Sequence, residues 1–386
     1  MHYQSLGFMR YVHQNSLSEL YFSVVLKTLA LSMVGIFIPV YMYKELNYSL
    51  NQIIYFFLIW SILFAVLTPV VAKFASRFGL KHMIIASVPF EISFIGVMLL
   101  MKTYNISYIY PAILYAISGT LFWTGFNIEF AKVTKKKNRG SEIGFLYFLV
   151  ITAEILGPFF GGVILSYIGF STLFYTASIL LVTGVIPLWA SEDDHIPVKF
   201  SFKNIYRKRY ARDMITFLGL GARYMSASVF WPLFIFIMLG TYFDLGVLAT
   251  GAGLVTAFSS FFVGKLADRM DNKKMLDIGA IIHSITWAIR WFASNFFQLF
   301  IIEVASGLSF IFASIPFSAI FYNKMMKRNK VEYIVFREIG FTLGKVVTLL
   351  FVLLTGNLVV SFLVAGVATL AYMAIKIHAI FIKNTF

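Results

Sequence analysis

The chain contains no cysteine. Disulfides and thiolate-ligated metal sites are therefore excluded. It is poor in charge, and acid is the scarcer sign, with 17 Asp and Glu against 32 Lys and Arg in 386 residues. Soluble domains are about 25% charged. Here 13% of residues are charged and 60% are hydrophobic, which is not the surface of a soluble globular domain. The histidines (His2, His13, His82, His195, His283, His378) are scattered without metal-ligand spacing. No Gly-x4-Gly-Lys-Ser/Thr run is present to cradle a nucleotide phosphate. The expectation is a protein that is not an enzyme, holds no cofactor and no metal, and does not use ATP directly.

What fills the chain instead is long apolar runs, at about 18–43, 48–72, 80–102, 107–131, 142–167, 171–190, 213–240, 243–264, 275–294, 297–323, 333–356 and 358–380. Each is long enough to cross about 30 Å of hydrocarbon. Backbone polar groups must be satisfied inside lipid, which leaves helices or a closed barrel, and runs without alternating polarity mean helices. The first run is too long for a signal-peptide core and has no small-residue cleavage site after it, so it is expected to stay in the mature protein.

The net charge of +15 could suggest nucleic acid, but its distribution argues otherwise. Lys and Arg cluster at 73–81, 132–139, 199–212, 265–274 and 324–330, all on one side of a twelve-helix arrangement, while the opposite loops hold only Lys44 and Lys102. This is the positive-inside pattern. It predicts cytoplasmic termini and a membrane-lipid rather than a nucleic-acid partner.

The chain is duplicated. Gly264-Lys265-Leu266-Ala267-Asp268-Arg269-Met270-Asp271-Asn272-Lys273-Lys274 follows the eighth run. Ala72-Lys73-Phe74-Ala75-Ser76-Arg77-Phe78-Gly79-Leu80-Lys81-His82, a degraded copy, follows the second. Glu142-Ile143-Gly144-Phe145 and Glu338-Ile339-Gly340-Phe341 repeat at nearly the same offset. The halves are expected at 1–190 and 213–386, each a six-helix bundle. The polar segment 191–212 is a cytoplasmic linker whose basic residues could lie on anionic headgroups.

At these motifs the chain resembles the major facilitator superfamily, along nearly its whole length. The family's loop reads roughly Gly-x-x-x-Asp-Arg-x-Gly-Arg-Arg/Lys. The second copy matches at Gly264, Asp268, Arg269, Lys273 and Lys274, with Asp271 where a second glycine is usual. The first matches at Arg77, Gly79 and Lys81 and departs at Ala72, Ser76 and Leu80. The resemblance implies an all-α membrane protein of twelve transmembrane helices in two pseudo-symmetric bundles. It also implies a cytoplasmic gate in which Asp268 approaches Ser141 and Arg77 approaches Glu129, with the half at Ser76 the looser. The fifth run carries Gly144, Ala153, Gly157, Pro158, Gly161 and Gly162. It resembles the family's antiporter motif with Ala153 for a glycine, or else serves ordinary small-residue packing. The arginine-centred motif of drug/proton antiporters is not evident in the fourth run; Ser118 falls near where that Arg would lie.

Ionisable residues at bilayer depth usually mark function or a pair. Lys27, Glu154 and Arg223 lie about 15–18 Å into their runs, near the midplane. Lys345 is also mid-depth, Glu303 and Arg290 lie in the outer half, and Glu91 reads as packing or helix pairing. Lys27 and Glu154 are expected to pair across the first and fifth runs, with Glu154 the candidate proton site. Asn127, Trp123 and Tyr224 are candidate cavity lining or plain packing.

The expected function is secondary active transport of a small organic solute by alternating access, as proton-coupled export (antiport) with a proton or other coupling ion. The alternatives are uptake or exchange of an organic anion, or a non-transporting membrane sensor or lipid-handling protein. A monomer in a prokaryotic inner membrane is expected, from the Lys-, Ile-, Phe-, Tyr- and Asn-rich composition of an AT-rich genome.

Overall fold

A computed structural model describes residues 2–133, 139–189, 211–267, 270–326 and 330–375. Among the described residues helices occupy each of the twelve apolar runs, and no strand occurs. The first half contributes α1 His2–Gly35, α2 Ile38–Lys44, α3 Leu50–Phe78, α4 Leu80–Leu100, α5 Ile109–Val133, α6 Arg139–Tyr167 and α7 Phe170–Trp189. The second contributes α8 Ala211–Met225, α9 Trp231–Leu239, α10 Tyr242–Ala267, α11 Asn272–Ile289, α12 Phe296–Met326, α13 Lys330–Thr355 and α14 Val360–Leu370. The first run is thus split into α1 and α2, with Pro39 opening α2. The seventh is split into α8 and α9 by a π-helical turn, Ser226–Phe230, just before Pro232.

Ten segments among the described residues are long and apolar enough to cross a membrane. Two of the twelve runs fall short by that measure. α11 has Lys273, Lys274 and Asp277 in its first two turns, and Val360–Ala374 stops where the described residues end.

α1 packs on α6 and α7, and α5 on α3 and α4; α8 packs on α13 and α14, and α12 on α10 and α11. These are two bundles, joined where α6 meets α10 and α3 meets α13. The glycines of α6 set the first joint. A Cβ on Gly157 would fall 1.9 Å from Ser32 Oγ, and one on Gly161 2.3 Å from the Met33 carbonyl, so α1 lies directly on that face. On the adjoining face a Cβ on Gly162 would stand 3.2 Å from Gly246 Cα of α10. Pro158 lies between these contacts and cannot donate to the carbonyl of Glu154, one turn earlier.

The two copies of the loop motif cap their helices differently. Gly79 joins α3 to α4 with no further residue, at φ 80° and ψ 145°, a conformation open essentially to glycine alone. At the matching place Asp271 is the N-cap of α11, accepting from the backbone N–H groups of Lys273 and Lys274 at 2.9 Å each. The missing second glycine is therefore a cap.

Candidate functional site

Lys27 of α1 pairs with Glu91 of α4 inside the first bundle, and the two side chains are 5% and 1% exposed. This corrects the expected Lys27–Glu154 pair: the lysine points between α4 and α5, away from α6. Ser118 of α5 donates to the same Glu91 oxygen at 2.9 Å, so the residue at the place of the antiporter arginine serves the carboxylate. Lys27 Nζ also lies 3.5 Å from Ser87 Oγ and 4.1 Å from the centre of the Phe122 ring.

The second bundle holds a similar layout in which the cation is an arginine and the carboxylate is replaced by a histidine. Arg223, His283 and Ser309 follow Lys27, Glu91 and Ser118 by 196, 192 and 191 residues, close to the offset of 192 that relates the loops. Arg223 of α8 lies over the Phe310 ring at 4.0 Å, as Lys27 lies over Phe122. His283 of α11 stands 3.0 Å from Ser309 Oγ, as Glu91 stands to Ser118. Trp287 Nε1–H donates to His283 Nε2 at 3.1 Å. That ring nitrogen must carry a lone pair, so the proton sits on Nδ1 and the imidazole is neutral. Arg223 therefore has no ion-pair partner among the described residues, and its buried Nε has no hydrogen bond. The carboxylate of this bundle, Glu303, is held by Arg290 at 2.7 Å, with Arg290 packed between Trp231 and Trp287 and donating to Ser306.

Between the bundles stands Lys345 of α13, 3% exposed. Its ammonium lies 4.1 Å from the centre of Trp60, 5.1 Å from Phe64, 4.7 Å from Phe341 and 5.3 Å from Tyr224. Trp60 and Phe64 belong to α3 and the other two to the second bundle, so both halves build this enclosure. Desolvating an ammonium costs several kcal/mol. A desolvated ring contact returns about 2 kcal/mol but gives its N–H groups no lone pair. Glu154 is exposed at its place on α6. Tyr224 and Trp123 are each 39% exposed and Asn127 is half-buried.

On the face opposite the basic loops the bundles touch. Glu45, just after α2, accepts from Lys102 at 2.6 Å and from the Tyr242 hydroxyl of the other bundle at 3.1 Å. Tyr242 is ringed by Phe37, Phe170 and Phe236. The Lys102 hydrogen bond holds the Glu45 carboxyl below the usual range, against the opposing effect of burial.

On the basic face, Asp268 and Arg269 lie outside the described residues, as do the side chain of Arg77 and the surroundings of Gly144, Ser141 and Gly264. Glu129 is buried. Lys273, expected in the gate, is turned into its own bundle instead: it pairs with Asp277 and donates to the Met373 carbonyl at 3.0 Å. Unforeseen there is Asp213 of α8, which accepts from Lys324 at 2.5 Å and from the Tyr333 hydroxyl at 3.0 Å. It pins the basic-face ends of α8, α12 and α13 together. The offsets of the two sequence repeats, 196 for Glu-Ile-Gly-Phe and 192 for the loops, applied to Lys27 and Glu91 would have pointed to Arg223 and His283.

The family model described as Major Facilitator Superfamily matches residues 20–205. The chain is similar to the uncharacterized protein YqgE of Bacillus subtilis, 20% identical over 85% of this chain and 80% of that one. It is also similar to the multi-drug resistance efflux pump PmrA of Streptococcus pneumoniae, 23% identical over 86% of this chain and 87% of that one. Multidrug resistance protein 1 of Bacillus subtilis is 25% identical over 58% of this chain and 61% of its own length.

Proposed function

We propose that this chain, a member of the major facilitator superfamily and a membrane transporter of drug-efflux-like kind, exports a small organic solute in exchange for protons. In this reading the halves 1–190 and 213–386, joined by 191–212, rock about the α6–α10 and α3–α13 joints. Twelve crossings leave both termini and the basic loops in the cytoplasm of a prokaryotic cell, and the working unit is a monomer. Asp268, Arg269 and Arg77 gate the cytoplasmic side, and the Glu45–Tyr242 contact shuts the outer side in the conformation described.

The observation that carries the coupling is Glu154. It is an exposed acid at mid-depth with no ion pair among the described residues, one turn before the α6 proline. A carboxyl so placed gains or loses its proton as water enters and leaves. The direction, export, rests on the relative named as an efflux pump, PmrA.

The test is flux into proteoliposomes under an imposed pH gradient across a broad solute panel. Glu154→Gln is expected to abolish the proton dependence while leaving downhill exchange. Retained proton dependence removes Glu154 from coupling. No solute or proton flux across the panel sinks transport and leaves the sensor reading.

A further inference from the structure

The space between the bundles is walled by aromatic rings and supplied with hydrogen-bond donors that have no acceptor. The Lys345 ammonium makes no hydrogen bond or ion pair to any described residue. Trp60, whose ring it faces, is 8% exposed, and its Nε1–H is buried without a partner. The acid nearest Lys345 along its own helix, Glu338, is two turns away and is held by Arg337. Glu154 belongs to α6 and makes no hydrogen bond or ion pair to the lysine.

We propose that Lys345 and Trp60 bind the anionic headgroup of an amphiphilic aromatic solute, with its ring system packed among Phe64, Tyr224 and Phe341. This names the substrate class of the transport site and rests on the transporter reading. Three considerations converge. Four donor positions, three on the ammonium and one on the indole, call for acceptor oxygens, and a carboxylate or similar monoanion supplies them in charge-assisted bonds. A cationic solute would meet rings already occupied by an ammonium and would add like charge at low dielectric. The site is built from α3 on one side and α8 and α13 on the other, so rocking of the halves takes the indole donor away from the ammonium and releases the headgroup.

The experiment is equilibrium binding to the full chain in nanodiscs, read by tryptophan quenching, with three probes of one shape: naphthoate, neutral naphthamide and naphthylmethylammonium. The wild type is expected to bind naphthoate at least about tenfold more tightly than naphthamide. Lys345→Met, nearly isosteric and relieved of a buried charge, should erase that preference and leave naphthamide binding in place. Lys345→Arg should keep it, and Trp60→Phe should weaken it about threefold. Tightest binding by naphthylmethylammonium, or naphthoate binding unmoved by Lys345→Met, overturns the proposal. Flux in proteoliposomes separates the two readings. Anion binding that needs Lys345, without carriage of any solute, refutes transport and leaves the site. Carriage of solutes with no anion preference refutes the site and leaves transport.

Discussion

The two bundles hold the same polar triad at the same depth and balance it differently. In the first, Lys27 has the Glu91 carboxylate and Glu91 has the Ser118 hydroxyl, so the charge is closed inside one bundle. In the second, Arg223 has no ion pair among the described residues, and Trp287 keeps His283 an acceptor at Nε2, so the charge is left open. The layouts match in their cation and their serine, and the change from carboxylate to imidazole accounts for the divergence in charge. A closed pair can serve as scaffold. An open cation is available to move or to be neutralised from outside.

The largest expected effect breaks the closed half. Glu91→Gln leaves Lys27 buried without its counter-charge and should cost about 3–5 kcal/mol. His283→Gln removes no charge partner and should cost about 1 kcal/mol, the worth of one hydrogen bond. Thermal unfolding of the two variants in one detergent compares them. Equal destabilisation would show that the halves do not differ as described.

The loop copies give the next largest contrast. Gly79→Ala forces a side chain into φ 80°, ψ 145° and should cost about 1–3 kcal/mol. Asp271→Ala loses only an N-cap, about 1 kcal/mol. The same unfolding measurement ranks them, and the reverse order would refute the two capping modes.

The smallest effect concerns the contact between halves at Glu45. Its folded pKa is lowered by Lys102, so the stabilisation is present above the ordinary carboxylate pKa and is lost as pH falls through the lowered value. Lys102 is 61% exposed, so screening keeps the whole contribution under about 1 kcal/mol. The distance between labels on α2 and α9 should be constant from neutral pH down to the carboxylate range and lengthen below it. Glu45→Gln should remove that acid transition. A transition that survives in the variant belongs to another group.

Much of this architecture was legible from the residues. Every apolar run became a helix, because length and hydropathy leave the backbone no other way to satisfy itself in lipid. The α6 glycines were visible as small-residue packing, though not that α1 and α10 lie on adjoining faces of one helix. The pairing of charges was less legible. Depth along a run places Lys27, Glu91 and Glu154 at similar levels, and only the rotation of α1 about its axis decides which acid the lysine meets. Lys345 was recognised as a mid-depth cation, but its rings come from three helices, and no periodicity joins Trp60 to Tyr224 and Phe341.

The neutral imidazole of the second bundle has an electrical consequence. A unit charge carried across a membrane exchanges about 2.3 kcal/mol with the field per 100 mV. The Lys27–Glu91 pair travels as a dipole of no net charge, so that pair is nearly blind to voltage. The second bundle carries the guanidinium of Arg223 uncompensated, and any rocking that displaces it along the membrane normal draws work from the potential. Its two resting positions would then be weighted by the cell's membrane voltage before any solute has bound.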